Sequence, residues 1–294
     1  MRFLEHVDHI IRLIFQNVLL VGLLSIVFLY VFAGKKDALS RNAILNTTAT
    51  LMIFAFNMYL VLKYHGAINV WLQAKYDALG IPTLPAGTWD AYPILLVSVF
   101  GLIAKDFADY WNHRLMHTKW GWPTHAAHHS DTHVNALTTY RIHFLEMFVM
   151  SASYILLLTW LQMPAVIPIV ALFSALHNMY VHLDVDWRHG PFKYLLASPY
   201  FHRWHHADTP EAYGKNLANM MPLWDRLFGT YVDPGKIDAP MGLRASGVND
   251  TNPFAILVFP FLQWGRMFRL RWRRLNKRLA ARKSLQEAPI HPGE

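Results

Sequence analysis

Histidines dominate the residues of this sequence that could do chemistry. The chain holds 17 histidines among its 294 residues, and thirteen of them fall between residues 113 and 206. On an α-helix, residues three or four apart share a face, so histidines at such spacings point in one direction. The groups in this window are His113 and His117, then His125, His128 and His129, then His177 and His182, and finally His202, His205 and His206.

This number of grouped imidazoles indicates a metal centre. Neutral imidazole is the commonest metal ligand in proteins, and it suits iron, zinc, copper and nickel. The chain has no cysteine, which excludes disulfides, thiolate metal sites and iron–sulfur clusters. A zinc ion closes its shell with about four ligands and leaves half of these histidines unused. Two iron ions, each with about four or five imidazoles and an open position, account for the ligand count better.

Long apolar stretches predict that the chain is an integral membrane protein. Only 16% of the residues are charged, against about 25% in soluble domains. No Asp, Glu, Lys or Arg occurs in residues 13–33, 43–62 or 147–176, and about 18 or more such residues are typical of a membrane span. A soluble α/β enzyme and a secreted module are therefore excluded.

The charge pattern predicts the topology. The loop 34–42 carries a net positive charge, which places it in the cytoplasm, and a third apolar run at 91–104 then leads back to that side. The run 147–176 reads either as a tight hairpin or as one long tilted helix. We predict an all-α integral membrane protein with about four or five membrane-spanning or re-entrant helices and a helical cytoplasmic cap that carries the dimetal site.

The predicted organisation has three parts. Residues 1–90 form N-terminal spans and an outer loop, residues 91–235 a catalytic region, and residues 236–294 an interfacial segment with a basic helix. Residues 266–283 hold nine basic side chains and no acidic ones, so the rest of the chain has a net charge of +8 − 9 = −1. This concentration favours anionic lipid headgroups as the partner, not nucleic acid; the alternative is a solvated helix docked on its own protein.

The histidine spacings resemble those of the fatty acid hydroxylase / sterol desaturase superfamily of integral-membrane di-iron oxygenases. The matching segments are DFADYWNHRLMH (106–117), WPTHAAHHS (122–130), ASPYFHRWHH (197–206) and WDRLFGT (224–230). The resemblance implies ten metal ligands, and two of them depart from the family pattern. His182 takes the place of the isolated histidine but is followed by Asp184 where an Asn is usual, and the five-residue gap from His177 is unusual. The implied ligands are His113, His117, His125, His128, His129, His177, His182, His202, His205 and His206.

Several other residues are expected to support this centre. Asp106, Glu146 and Asp184 are candidates to accept the second imidazole N–H of a ligand, the alternative being ordinary interfacial salt bridges. Arg141 is expected to pair with the Asp225–Arg226 segment and so brace the cap. His133 and His143 are either further ligands or structural residues.

The resemblance implies that two Fe²⁺ ions and O₂ hydroxylate an unactivated C–H bond of a lipid. The predicted topology places this site on the cytoplasmic side, and the compact length without an ER retrieval signal favours a bacterial inner membrane. The sequence has no nucleotide fingerprint or room for a haem domain, so two electrons must come from a separate ferredoxin or b-type cytochrome with its reductase. Desaturation or ether cleavage at the same site remains open. The alternatives from other classes are a zinc hydrolase and a metal-binding membrane protein without turnover, such as a transporter.

Overall fold

A computed structural model describes residues 63–64, 66–233, 239–242, 247–248 and 253–286 of the chain. Within these ranges the regular elements are helical and no strand is formed. A helical segment at 66–78 comes first. The helices that follow are α1 (Ile94–Met116), α2 (Trp122–His129), α3 (Phe144–Trp160), α4 (Ile167–Val181), α5 (Pro199–His205), α6 (Leu223–Phe228) and α7 (Pro253–Gln286). The predicted spans at 13–33 and 43–62 lie outside the described residues.

Helix α1 is divided into an apolar half and a half that carries polar residues. In the first half Leu95 is 77% exposed, while Gly101 lets the helix approach α4 closely. A Cβ added at Gly101 would lie 2.8 Å from the Val166 side chain, just before α4, and 3.1 Å from that of Val170 within it. In the second half Asp106 and His113 are buried. The helix therefore runs from an apolar, outward-facing region into the polar cap, where its histidines lie.

The apolar run at 147–176 is a hairpin, which was one of the two structures that the sequence predicts for it. Helix α3 ends before Gln162, which has a left-handed backbone with φ 58°, and the chain re-enters a helix after Pro164. Glu146 near the start of α3 and His182 just after α4 both contact histidines of α2. Both ends of the hairpin therefore meet at the same place, which excludes one long tilted helix.

The apolar character of the hairpin fits a membrane environment. Among the described residues, the stretch Pro164–Val181 is the one helix long and apolar enough to cross a membrane, and α3 is a shorter apolar helix. Leu158, Val166 and Val170 form a core with Val97 of α1. On the outside, Phe148 and Phe173 are 67% and 56% exposed, and large exposed apolar groups of this kind are typical of lipid or protein contact surfaces.

The cap consists of α2, α5, α6 and the loops between them. The Ser198 side chain accepts a hydrogen bond from Phe201 N and so caps α5, which begins with Pro199; both features favour a helix start. Helix α7 contacts α2, and its Trp264 side chain donates to Trp120 O at 3.0 Å. Beyond that contact, the side chains of residues 268–282 are all exposed.

Candidate metal centre

Nine of the ten histidines that the sequence singles out form two compact groups. Within each group, every histidine offers a ring nitrogen within 4.8 Å of those of the others. The two groups adjoin, because the His128 and His206 ring centroids lie 5.1 and 4.6 Å from those of His125 and His129, respectively. The five-histidine group contains His113, His117, His125, His129 and His205, and the four-histidine group contains His128, His182, His202 and His206.

Each short helix divides its histidines between the two groups. On α2, His125 and His129 belong to the five-histidine group and His128 to the other. Helix α5 does the reverse, since His205 joins the five-histidine group while the flanking His202 and His206 belong to the four-histidine group. A spacing of four residues turns the helix by about 40° from one full turn, whereas adjacent residues differ by about 100°. The i, i+4 pairs therefore stay together, and the residue next to each pair faces the neighbouring group.

The Nδ1 atoms of five rings face fixed hydrogen-bond acceptors. His125 Nδ1 lies 2.7 Å from a carboxylate oxygen of Glu146, and the other four face backbone carbonyls. A carbonyl can only accept, so Nδ1 must carry the proton and Nε2 keeps its lone pair. The four carbonyl pairs are His113 with Leu217 O (2.6 Å), His128 with Thr138 O (3.2 Å), His182 with Asn178 O (2.6 Å) and His205 with Lys215 O (2.8 Å).

This tautomer brings unprotonated nitrogens face to face. His113 Nε2 lies 3.0 Å from His125 Nε2, and His128 Nε2 lies 3.3 Å from His182 Nε2. With a proton on each Nδ1, neither contact is a hydrogen bond between neutral rings, because both atoms are acceptors. A cation between the lone pairs removes this repulsion. The donor set thus fits two metal ions held by imidazole nitrogen.

Burial keeps these rings neutral. In α2 and α5, desolvation lowers the histidine pKa well below its usual range, and the neighbouring imidazoles lower it further. A metal ion binds the neutral ring and competes with the proton for Nε2. At neutral pH the site is therefore ready for a metal without first losing protons.

Of the three predicted carboxylate partners, Glu146 contacts a clustered histidine, with its Oε1 2.7 Å from His125 Nδ1. Asp106 instead accepts hydrogen bonds from Met220 N, Met221 N and the Trp224 side chain, so the prediction that it orients an imidazole is wrong. It fastens α1 to the loop before α6. Asp184 forms an ion pair with Arg203 at 2.8 Å, which is the salt-bridge alternative for that residue.

Three of the histidines that the sequence offers as candidate ligands lie outside both groups. His177 is on α4, five residues before His182, and this spacing turns it about 140° away from His182. His143 begins α3, where its Nδ1 accepts from Leu145 N and its Nε2 faces Leu257 O at 3.0 Å, so both of its nitrogens are occupied. His133 is exposed beside Thr132.

The cap is braced differently from the prediction. Arg141 does not reach the Asp225–Arg226 segment; its guanidinium donates to Ala127 O and the Ser130 hydroxyl at the end of α2. Arg226 instead lies over the Tyr194 ring at 4.1 Å. Ala127 O lies in the last turn of α2, 14 residues from Arg141, where helix carbonyls have no amide partner four residues on. It is therefore the nearer acceptor for Arg141, and it also accepts from the Ser130 amide and hydroxyl.

Sequence reasoning missed the segment 215–218, which orients two ligands. Its carbonyls at Lys215 and Leu217 hold His205 and His113. Asn216 between them has a left-handed backbone with φ 54°, a conformation that Asn tolerates better than most residues. Backbone groups give no residue-type signal, although Asn followed by an apolar pair before a Pro-initiated helix is a visible turn pattern.

Comparisons with known proteins agree with this centre. Residues 98–230 match the fatty acid hydroxylase family model. An ornithine lipid hydroxylase of Rhizobium tropici is 31% identical over 60% of this chain and 54% of its own length, and an alkylglycerol monooxygenase of Xenopus tropicalis is 30% identical over 65% of this chain and 41% of its own. A methylsterol monooxygenase of Arabidopsis thaliana is 26% identical over 68% and 78%. The chain thus spans about half the length of the first two relatives. No solved structure matches it.

Proposed function

We propose that this chain, whose residues 98–230 match the fatty acid hydroxylase family model, is a membrane-bound non-haem di-iron oxygenase that hydroxylates an unactivated C–H bond of a lipid. The observation that carries the proposal is the pair of histidine groups whose unprotonated Nε2 atoms face each other. The relatives are named as hydroxylases and monooxygenases of ornithine lipid, alkylglycerol and methylsterol, which supports a lipid substrate.

The proposed ligands are the nine clustered histidines, with Glu146 positioning His125. Two ferrous ions held there supply the binding and reduction of O₂. One oxygen atom enters the C–H bond and the other leaves as water, which requires two electrons and two protons per turnover. The acceptors at Nδ1 fix five of the nine rings so that each of these keeps its Nε2 aimed at the ion, and the burial of the rings excludes bulk water.

The electrons are proposed to come from a separate ferredoxin or b-type cytochrome with its reductase. All the candidate ligands in the two histidine groups are imidazoles. Among the described residues, these groups therefore hold no redox centre besides the proposed iron. The protein's share of the chemistry is then to bind the lipid, orient it and tune the metal.

Labelled oxygen tests the proposed function. Membranes containing the protein are supplied with ¹⁸O₂, a ferredoxin, its reductase and NADPH, and the extracted lipids are compared by mass spectrometry with those from the His182→Ala/His205→Ala variant. We expect a lipid that carries one ¹⁸O atom only with the unsubstituted protein. A product that has lost two hydrogens without gaining the label would replace hydroxylation by desaturation, and no change in any lipid would contradict both.

The exposed part of α7 is proposed to lie on anionic lipid at the cytoplasmic face of an inner membrane. Phe268, Trp272, Leu275 and Leu279 form one stripe, and each is 46–65% exposed. Arginines flank this stripe on both sides, with Arg269 on one side and Arg271 on the other. An apolar stripe between basic residues is typical of a helix in the membrane interface.

The absence of cysteine makes this arrangement directly testable. Single cysteines are placed at Leu275, in the stripe, or at Lys277, on the opposite face. With a membrane-impermeant maleimide we expect Lys277→Cys to react in inverted vesicles and not in sealed spheroplasts, and Leu275→Cys to be protected in both. Equal labelling of the two positions in inverted vesicles would rule out lipid contact, and labelling of Lys277→Cys in spheroplasts would reverse the topology.

A further inference from the structure

The two helices of the α3–α4 hairpin do not pack closely against each other. Helix α1 packs against both of them, whereas α3 and α4 meet mainly at the short segment 164–166 that joins them. The cleft between them holds a chamber of about 90 Å³, here called the outer chamber. Its wall on α4 consists of Ala171, Ser174, Ala175 and Asn178. Residues at these spacings share one helix face, and their small side chains leave the space that the chamber occupies.

The outer chamber adjoins a smaller one at the metal centre. This inner chamber, of about 60 Å³, is lined by five of the clustered histidines together with Glu146. The residues that line both chambers are Thr139, Ile142, Met150 and Asn178. A molecule that occupies both chambers therefore lies directly beside the histidines that are proposed to hold the metal ions.

The outer chamber reaches the surface of the protein between α3 and α4. Its lining residues Lys105 on α1 and Tyr154 on α3 are buried, whereas Ser151 on α3 and Ala175 on α4 are half-buried. Ala175 belongs to the stretch Pro164–Val181, which is long and apolar enough to cross a membrane. The opening therefore faces the lipid that surrounds this span.

The surface that the two chambers expose is mainly apolar. The polar groups of the outer wall make hydrogen bonds within the protein in two cases. The Lys105 ammonium donates to Asp109 Oδ2, and the Thr139 hydroxyl donates to Asn178 O at 2.7 Å. A hydrocarbon chain suits such a space, because burying apolar surface is favourable and requires no hydrogen bonds.

The size of the chambers selects the shape of the lipid. A cavity of about 150 Å³ holds one benzene ring, and each of these chambers is smaller than that. A sterol has four fused rings and does not fit. An unbranched alkyl chain is only one methylene group wide and can extend from one chamber into the other. It also has room to lie along α4, because Ala171 and Asn178 are separated by seven residues, or about 10 Å of helix.

We propose that the cleft between α3 and α4 admits an unbranched alkyl chain of a membrane lipid directly from the bilayer, and that this chain is oxidised where it passes the histidine groups. The substrate class is then a straight-chain acyl or alkyl lipid and not a sterol. Met150 and Asn178, which line both chambers, form the passage between them. The oxidation of the chain rests on the proposed function, whereas its binding in the cleft does not.

Photolabelling tests the cleft without turnover. The full chain, freed of iron by chelation, is reconstituted in phosphatidylcholine vesicles that contain one of two diazirine probes at the same mole fraction. One probe is a phospholipid with the diazirine in the middle of a straight acyl chain, and the other is cholesterol with the diazirine on its ring system. Mass spectrometry then maps the labelled residues. We expect the acyl probe to label Met150 and Ser151 inside the cleft, and the sterol probe to label only outward-facing residues such as Phe173.

Two neighbouring substitutions provide a matched comparison. Ala175→Trp fills the opening and should lower the acyl labelling of Met150 by about 10-fold or more, since even one methylene group in an apolar pocket changes selectivity by about 10- to 200-fold. Leu176→Trp places the same side chain at the next position, which is exposed and does not line the chamber. This variant should label like the unsubstituted protein. Thermal unfolding of both variants checks that they fold.

The outcomes separate the cleft from the oxygenase proposal. Equal labelling of Met150 by the two probes would overturn the selection of straight chains. Acyl labelling that is confined to outward-facing residues, or that is unchanged in Ala175→Trp, would overturn the cleft as the entrance. If Ala175→Trp does not fold, the comparison of the two probes in the unsubstituted protein still decides. Selective acyl labelling of a protein that introduces ¹⁸O into no lipid would support the cleft and contradict the proposed function.

Discussion

Replacing His182 with alanine is expected to remove one of two bound iron ions and to lower lipid oxidation by about 100-fold or more, since even residues that only orient a ligand cost about 10- to 100-fold. His182 is central to the four-histidine group, with its Nε2 lying 3.3 Å from that of His128 and 3.0 Å from that of His202. The variant leaves three histidines in that group. Iron per chain, measured by mass spectrometry on the purified protein, checks the result together with ¹⁸O incorporation.

The five-histidine group is expected to respond less steeply to the loss of one ligand. His205→Ala leaves four imidazoles, so this variant should retain more iron than His182→Ala while still losing activity. The double variant should bind no iron. Equal iron loss in the two single variants would show that the number of remaining histidines does not determine how much iron each group retains.

Two histidines outside the groups serve as matched controls. His133→Ala and His177→Ala each remove one imidazole from the same region of the chain, and both are expected to leave two irons bound. His177 is the more informative control, because the family resemblance implies that it is a ligand while the structure places it outside both groups. A folded His177→Ala protein with one iron would restore it to the ligand set.

The sequence predicts the existence of this centre better than its internal arrangement. Spacings of three and four residues both put histidines on a shared helix face, so the sequence leaves His125 free to pair with either His128 or His129. The structure selects the spacing of four because the two groups lie on either side of α2 and α5. That choice depends on how the helices pack together, which the local spacing does not encode.

Carboxylates show the same limit. Glu146 lies 21 residues from the histidine that it orients. Asp106 is only seven residues before His113, yet its partners, two main-chain amides and the Trp224 side chain, are more than 110 residues away. A carboxylate close in sequence to a ligand can therefore fasten a distant loop instead, and only the packing distinguishes the two. The spans predicted within residues 1–62 lie outside the described residues and stay predictions.

Asp225→Ala is expected to destabilise the cap by about 2–5 kcal/mol. The buried Asp225 carboxylate accepts hydrogen bonds from Leu217 N at 2.7 Å, Ala218 N at 2.8 Å and the Thr230 hydroxyl at 2.6 Å. Alanine leaves the Leu217 and Ala218 amides unpaired in a buried place, and each unpaired donor costs about 1–3 kcal/mol. The Thr230 hydroxyl keeps its contact with the Tyr110 hydroxyl at 2.8 Å. The thermal unfolding midpoint of the protein in detergent should fall by on the order of 10 °C.

Two variants control for the loss of a carboxylate as such. Asp225→Asn keeps one acceptor oxygen and should lie between alanine and the unsubstituted protein. Glu211→Ala removes an exposed carboxylate from the same loop region and should change stability by no more than about 0.5 kcal/mol. A drop for Glu211→Ala as large as that for Asp225→Ala would show that net charge, not the hydrogen bonds, is responsible.

The same substitution should affect the two metals unequally. Asp225 holds the segment whose carbonyls orient His113 and His205, and both of these histidines belong to the five-histidine group. The four-histidine group takes its acceptors from Thr138 and Asn178, which Asp225 does not touch. In the fraction of the Asp225→Ala protein that remains folded, the iron content should therefore fall from two towards one ion per chain, and the five-histidine group should lose its iron first. His205→Ala deletes a ligand, whereas Asp225→Ala only allows the His205 ring to turn. Similar iron loss in the two variants would mean that the iron of the five-histidine group requires the backbone segment 215–218 as much as it requires a ligand.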